Sequence, residues 1–360
     1  MITDRRAFLR MSAAALASPA LSGCGGNDKT ATPGVPLSPF DEDSTAELVT
    51  NGIDLKGKIA VVTGCTSGIG YETMRVLAQR GCYVVGTGRT VEKAQAACKS
   101  VIGVTTPLQL ELSDFDSVAA CAEAIRSMRS PIDILVCNAG YRGGGNDVQL
   151  INGIEKHFLV NHLGHFLLTN RILDRMLWAW QARIVVVASR AAYRGAPHDG
   201  LRLRDLALSD DYSDSAAYGQ SKLANVLFAY RLGELLKGTR ITANALHPGV
   251  INTEIDRNVN GLLQFGFGLL SSLSGKNVEE GAATSCYVAT SPHLGAVSGE
   301  YFEDCNPVTV VNNPFMRNMT LAEELFRVSE ELTAEYLVEV KPTDWDDFEN
   351  GLPKHDRGAR

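Results

Sequence analysis

The chain has 360 residues, of which 45% are hydrophobic and 21% charged, with 34 Gly, 13 Pro and a formal net charge of −7. This composition excludes whole-chain disorder, a collagen-like repeat and a coiled coil, and the length allows one large domain or two small ones. The acidic balance argues against nucleic-acid binding, which needs basic surface, and eight Cys are too sparse for a disulfide scaffold.

The chain opens with Arg5 and Arg6, then Phe8, Leu9 and Arg10, followed by a mildly apolar stretch from Met11 to Leu21. That stretch is too short to span a bilayer permanently and reads as the apolar region of a removable signal. The Arg-Arg-x-Phe-Leu pattern resembles a bacterial twin-arginine export signal. The string Leu21-Ser22-Gly23-Cys24 resembles a lipobox, in which cleavage leaves Cys24 N-terminal and acylated. On this reading residues 1–23 are a twin-arginine lipoprotein signal peptide. The rest is an exported lipoprotein, held on the periplasmic or outer face of a membrane through Cys24. Loss of the signal removes three Arg and one Asp and leaves the chain more acidic, so lipid must supply the attachment. If the signal reading fails, the location is cytoplasmic. Residues 24–52, rich in Gly, Pro, Ser, Thr and acids, read as a flexible tether.

From residue 53 the composition changes. Lys58 to Thr63 is a buried-strand run, Gly64 to Gly70 a Gly-rich turn and Tyr71 to Arg80 a helix. Further strands are expected at 82–87, 108–112, 132–137, 183–188 and 241–246, and helices at 91–100, 114–128, 150–178 and 215–237. Strands alternating with helices predict an α/β chain. The expected fold is a single-domain Rossmann fold, a doubly wound parallel sheet of about seven strands spanning 53–340. Its ligand crevice lies at the strand C-termini. Residues 256–275 are apolar, Gly-rich and aromatic, and read as a mobile lid over an apolar substrate or as a packed helix pair. Residues 341–360 read as a charged tail.

The turn Thr63-Gly64-Cys65-Thr66-Ser67-Gly68-Ile69-Gly70 follows a strand and opens a helix. In that context Gly64, Ser67, Gly68, Ile69 and Gly70 predict a dinucleotide pyrophosphate site, with free N–H groups at the helix start. The second strand ends in Gly88-Arg89. An acid there would accept bonds from the ribose hydroxyls, whereas Arg89 can pair with a 2′-phosphate, which favours NADP(H) over NAD(H). Asn138, Ala139 and Gly140 end the fourth strand and leave room for the adenosine ribose. Glu111 and Leu112 end the third strand and are placed to meet the adenine, with a structural role for Glu111 also open.

Tyr218 and Lys222 are four residues apart, so they share a helix face. A Tyr with a pKa of about 10 is a poor acid or base at neutral pH, and a neighbouring ammonium stabilises its phenolate. Ser189 ends the fifth strand upstream. These residues carry a resemblance to the short-chain dehydrogenase/reductase family over about 53–335. The matching strings are TGCTSGIG, NAG at 138–140, NHLGHF at 161–166, Ser189, YGQSK at 218–222 and HPG at 247–249. The strings NHLGHF, AYGQSKLAN, HPGVINTE and SGEYFEDC are most similar to the retinol-dehydrogenase-like branch.

The resemblance implies an oxidoreductase acting on a carbonyl or alcohol carbon; Arg89 makes NADP(H) the expected cofactor, and the apolar 261–273 segment with the membrane tether points to a small lipophilic substrate. Tyr218 is then the general acid/base and also contacts the cofactor, and Ser189 stabilises the substrate oxygen. Lys222 lowers the Tyr218 pKa and binds the nicotinamide ribose, and Asn161 positions Lys222 through a water. Pro248, Gly249 and Thr253 line the nicotinamide side. Two positions depart from the family pattern: Glu111 stands where Asp is usual, and Ala188 precedes Ser189 where Ser is usual. The competing reading is a membrane-tethered nucleotide-binding protein with little or no turnover. No metal site is expected. The seven Cys beyond Cys24 are expected to be reduced and mostly buried, which suits folding before export. The oligomeric state is open, a homo-oligomer included.

Overall fold

The computed structural model describes residues 28–143, 145, 147–209, 211–249 and 276–337. In chain order the elements begin with β1 (Lys29–Ala31), α1 (Ala46–Val49), β2 (Ile59–Val62), α2 (Gly68–Gln79), β3 (Tyr83–Gly88) and α3 (Val91–Lys99). They continue with β4 (Thr105–Gln109), α4 (Phe115–Ser127), β5 (Ile134–Cys137), β6 (Leu150–Ile151), β7 (Ile154–Glu155) and α5 (Lys156–Phe158). A π turn at Leu159–Leu163 runs into α6 (Gly164–Leu177), followed by β8 (Ala182–Val187), α7 (Ala191–Arg194), α8 (Asp214–Leu235) and β9 (Ile241–His247). Then come α9 (Val278–Thr290), β10 (Tyr301–Glu303), β11 (Asn306–Val310) and α10 (Met319–Thr333).

The strands β10-β9-β8-β5-β2-β3-β4 pair parallel in that order, which is the doubly wound sheet of about seven strands that the alternation predicts. Beyond β10, β11 and β1 extend it antiparallel. Every residue of β8 and β9 is buried, because helices cover both faces. One core holds side chains of α4, α6, α8 and α10, and the other those of α1, α2, α3 and α9. The winding reverses between β2 and β5. Their C-terminal ends therefore open a crevice at that point.

The structure corrects three expectations. Residues 28–52, read as flexible tether, are packed on the domain. Lys29–Ala31 adds a strand to the free edge of β11, and Ala46 and Val49 of α1, capped by Thr45, are buried. Elements this short carry no readable periodicity and stand on tertiary contacts. The helix expected over 150–178 is instead a hairpin, a short helix, a π turn and α6. Asn152 and Gly153 have φ of +51° and +79°, the two-residue turn that an Asn-Gly pair favours. The third strand lies at 105–109 rather than 108–112. It is an edge strand, where Pro107 costs no ladder bond, and Leu110 and Leu112 beyond it turn into the core. The signal region with Cys24, Thr253, the apolar 256–275 segment and the tail lie outside the described residues. Among the described residues no helix is long and apolar enough to cross a membrane.

Candidate active site

The glycine turn between β2 and α2 is built around close approaches. Gly64 has φ +71°, and a Cβ there would lie 2.9 Å from the Ala139 Cβ. A Cβ at Gly70 would lie 2.2 Å from the Gly64 carbonyl oxygen and 2.3 Å from the Asn138 side-chain nitrogen. Ser67 is the N-cap of α2 but makes no side-chain cap bond, whereas Thr90, Asp114 and Ser213 cap α3, α4 and α8. Among the described residues no side chain accepts from the first N–H groups of α2, beginning at Gly68 and Ile69, which lie at the crevice end of the sheet. This donor set in a glycine cradle fits a dinucleotide pyrophosphate. Gly70→Ala is expected to open the turn and weaken NADPH binding at least ~10-fold in a fluorescence titration, since the clash is with backbone. Parent-like affinity would remove Gly70 from the site.

Thr63, immediately before this turn, joins its parts. The backbone N–H groups of Asn138 and Ala139 both donate to Thr63 Oγ1, each at 2.9 Å. The Asn138 amide donates to the Thr63 carbonyl at 2.9 Å, and Gly140 beside it is exposed. Buried His165 places Nε2 2.9 Å from Thr63 Oγ1 and Nδ1 3.0 Å from the Asn161 carbonyl. Burial pushes its pKa down to about 4, so the ring is neutral, and Nδ1 carries the proton toward that carbonyl. Sequence reasoning left Thr63 and His165 without roles, although both stand in strings that it singled out.

The second strand ends at Gly88, where a Cβ would lie 2.7 Å from Thr66 Cγ2. An acidic side chain at that position has no room, and the exposed Arg89 follows. The Glu111 carboxylate accepts from the Ser113 hydroxyl at 2.7 Å and the Ser113 N–H at 3.1 Å, while Leu112 is buried against Gly164. Both thus have structural roles at the crevice edge.

The end of β8 collects the other predicted residues. Lys222, 2% exposed, donates from Nζ to the Val187 carbonyl at 3.1 Å. Two residues on, Ser189 is half-buried, and its Oγ accepts the Ala191 N–H at 3.2 Å. Tyr218 stands one helical turn before Lys222, whose ammonium lies 5.7 Å from the Tyr218 ring centroid. The Arg142 guanidinium lies 5.3 Å from that centroid, and the His157 ring meets Tyr218 edge-on at 6.1 Å. Desolvation by burial lowers the Lys222 pKa to about 8.

Asn161 sits in the π turn. Its side chain accepts the Tyr141 N–H at 2.6 Å and donates to the Tyr141 carbonyl at 3.0 Å and Ser221 Oγ at 2.9 Å. It therefore fastens the loop after β5 to the helix of Tyr218 and Lys222. Pro248 and Gly249 directly follow β9 at the same end of the sheet.

His157 is a further residue that sequence reasoning passed over. It is buried, with Nδ1 2.7 Å from Glu155 Oε1, and it accepts the Gly143 N–H at Nε2, 3.0 Å. It thereby fixes the 141–143 loop beside Tyr218. The Asn-Gly turn at 152–153, which sets up the hairpin carrying Glu155, was its readable signal. The seven described Cys are free and buried, as expected, and burial pushes the Cys65 thiol well up, which leaves it inert. Among the described residues no His, Cys, Asp and Glu group is arranged for a metal.

Comparison with known proteins gives this arrangement a context. Residues 58–200 match the family model for short chain dehydrogenase. The chain is 39% identical over 307 residues to the chloroplastic short-chain dehydrogenase TIC 32 B of Brassica napus, covering 81% of this chain and 93% of that one. It is 40% identical over 285 residues to human retinol dehydrogenase 12, covering 78% and 87%. Among solved structures, it resembles a candidate NAD(P)-dependent gluconate 5-dehydrogenase of Beutenbergia cavernae with NADP bound at low occupancy. That match has a TM-score of 0.56 and 26% identity and covers 69% of this chain and 95% of the other.

Proposed function

Because the chain belongs to the short-chain dehydrogenase/reductase family, and so is an oxidoreductase, we propose that it uses NADP(H) to interconvert a carbonyl and an alcohol on a small lipophilic substrate, with Tyr218 as general acid/base. The observation that carries this reading is the buried Lys222 ammonium. It is bonded to the strand end that presents Ser189, with Tyr218 one turn away on the same helix.

When bound, NADP(H) supplies or accepts the hydride. The protein's own residues do the rest. Gly64, Ser67, Gly68, Ile69 and Gly70 hold the pyrophosphate, and Asn138, Ala139 and Gly140 flank the adenosine ribose. Pro248 and Gly249 line the nicotinamide side, to which the family resemblance also assigns Thr253. The Ser189 hydroxyl donates to the substrate oxygen, where negative charge builds during reduction. Tyr218 delivers a proton to that oxygen in reduction and removes it in oxidation. Lys222 stabilises the phenolate and binds the nicotinamide ribose, while Asn161 keeps the helix of both residues in register with the nucleotide side.

Arg89 supports NADP(H) as the preferred cofactor, since Gly88 cannot become acidic without displacing Thr66. Arg89→Ala is expected to weaken NADPH about 10-fold or more and NADH less than ~2-fold, because only the former brings a 2′-phosphate for a bidentate pair. Equal weakening removes Arg89 from the phosphate site. The apolar composition of 261–273 supports a lipophilic substrate, and the lipobox-like string Leu21-Ser22-Gly23-Cys24 supports acylation of Cys24 and a membrane location. Turnover of NADPH with aldehydes of increasing chain length tests the whole reading. The expected result is kcat/KM rising with length, and absence of turnover would favour the nucleotide-binding alternative.

A further inference from the structure

The string SGEYFEDC contains a buried carboxylate that the reaction does not touch. Glu303 ends β10, is 2% exposed, and lies in register with His247 at the end of β9. It accepts four hydrogen bonds. Lys29 Nζ of β1 donates to Oε2 at 2.7 Å, and Arg190 Nε donates to the same oxygen at 3.1 Å. The Tyr193 hydroxyl donates to Oε1 at 2.9 Å and the Tyr301 hydroxyl at 3.2 Å. Burial opposes ionisation of this carboxyl, but Arg190 and Lys29 outweigh it and hold the pKa below the ordinary Glu value. The pair with Arg190 is therefore ionised at neutral pH.

Two of those donors sit on one small element. Arg190 is the N-cap of α7 and Tyr193 lies within it, and α7 is only four residues long. A single turn does not hold its own shape in water, because nucleation costs more than one turn returns. The two bonds to Glu303 fasten it at both ends. Two site residues depend on α7. Ser189 immediately precedes Arg190, and its Oγ accepts the N–H of the first α7 residue. The turn after α7 packs on α8 at Gly219, where a Cβ would lie 2.2 Å from the Gly195 carbonyl carbon. Gly219 is the neighbour of Tyr218.

We propose that Glu303 is a positioning residue for the reaction: through Arg190 and Tyr193 it fixes α7, and with it the direction of the Ser189 hydroxyl. Lys29, on the edge strand β1, supplies the second cation to the same carboxylate oxygen. The N-terminal strand β1 thereby becomes part of the wall that supports the site. A neutral amide at position 303 would present an NH₂ group to one of its cations, and α7 would lose part of its fastening. The proposal rests on Ser189 being the group that bonds the substrate oxygen.

The test is a double-mutant cycle on kcat with NADPH and a carbonyl substrate, accompanied by NADPH titration. Glu303→Gln is expected to lower kcat about 10-fold and to leave the NADPH Kd within ~2-fold. Ser189→Ala should slow turnover about 100-fold, and adding Glu303→Gln to it should cost nothing further, because the hydroxyl being aimed is gone. If Glu303→Gln costs the same factor in both backgrounds, spares kcat, or weakens NADPH as much as it slows turnover, the positioning role is overturned while the Ser189 reading stands. An unslowed Ser189→Ala removes the Ser189 reading and the proposal together. If Glu303→Gln does not fold, Tyr193→Phe leaves the ion pairs intact and carries the same cycle, with about a 3-fold effect expected in the parent background and none in Ser189→Ala.

Discussion

Tyr218→Phe is expected to lower kcat by about 10²- to 10⁴-fold, the usual worth of a positioned acid or base, while the NADPH Kd changes less than ~2-fold. The phenyl ring keeps the edge contact with His157 and the place beside Arg142 and Lys222, so the helix and its surroundings are preserved. The position is only half-buried, and loss of one hydroxyl there should leave unfolding within about 0.5 kcal/mol of the parent. The nucleotide turn lies on a different element, α2, so it has no reason to respond. Stopped turnover with intact nucleotide binding separates an enzyme from a protein that merely carries the nucleotide. Parent-like turnover in Tyr218→Phe would remove Tyr218 as the proton donor and leave the family fold without the proposed chemistry.

The parts of the fold legible in the sequence are those held by local pattern. Residues 59–62 (IAVV) and 184–188 (IVVVA) are unbroken apolar runs that form the body of buried strands, and the glycine turn between β2 and α2 stands where its spacing requires. Tyr218 and Lys222 were legible because helix periodicity puts them on one face, and Ser189, the glycine turn upstream and the family resemblance gave that spacing its weight. The misread parts depend on partners far along the chain. Lys29–Ala31 is a strand only because β11, about 280 residues later, offers a free edge, and no property of three residues announces that. Likewise Glu303 is an unremarkable acid in sequence and becomes the acceptor for β1, α7 and its own strand only once the sheet has closed. The hairpin at 150–155 is different. Its Asn-Gly signal is present, and the helix expected over 150–178 runs straight through it. The same misreading hid His157, which lies just past the hairpin and reaches Tyr218 because of it.

Lys222→Met should give the second large effect, with opposite signs in function and stability. Turnover is expected to fall at least ~10²-fold, because Tyr218 loses the ammonium that stabilises its phenolate. Stability of the nucleotide-free protein is expected to rise. Burial lowers the Lys222 pKa from 10.5 to about 8, which corresponds to ~3 kcal/mol of unfavourable charge burial at neutral pH. Methionine has a similar length and carries no charge. It leaves no orphan acceptor, since the Val187 carbonyl still receives the Asn225 amide at 3.2 Å. The melting temperature at pH 7 should therefore increase by about 5 °C. The pH dependence follows from linkage. Below pH 8 both folded and unfolded Lys222 hold the proton, and the penalty is complete. Between pH 8 and 10.5 the unfolded form holds the proton more tightly, so the parent gains stability as pH rises and the advantage of methionine shrinks. Above 10.5 the advantage is gone. A Lys222→Met protein that is less stable than the parent at pH 7, or whose advantage does not narrow across that window, would mean that the ammonium is solvated or paired well enough to carry no penalty. The buried charge would then not be the feature that the helix and the end of β8 are built to hold.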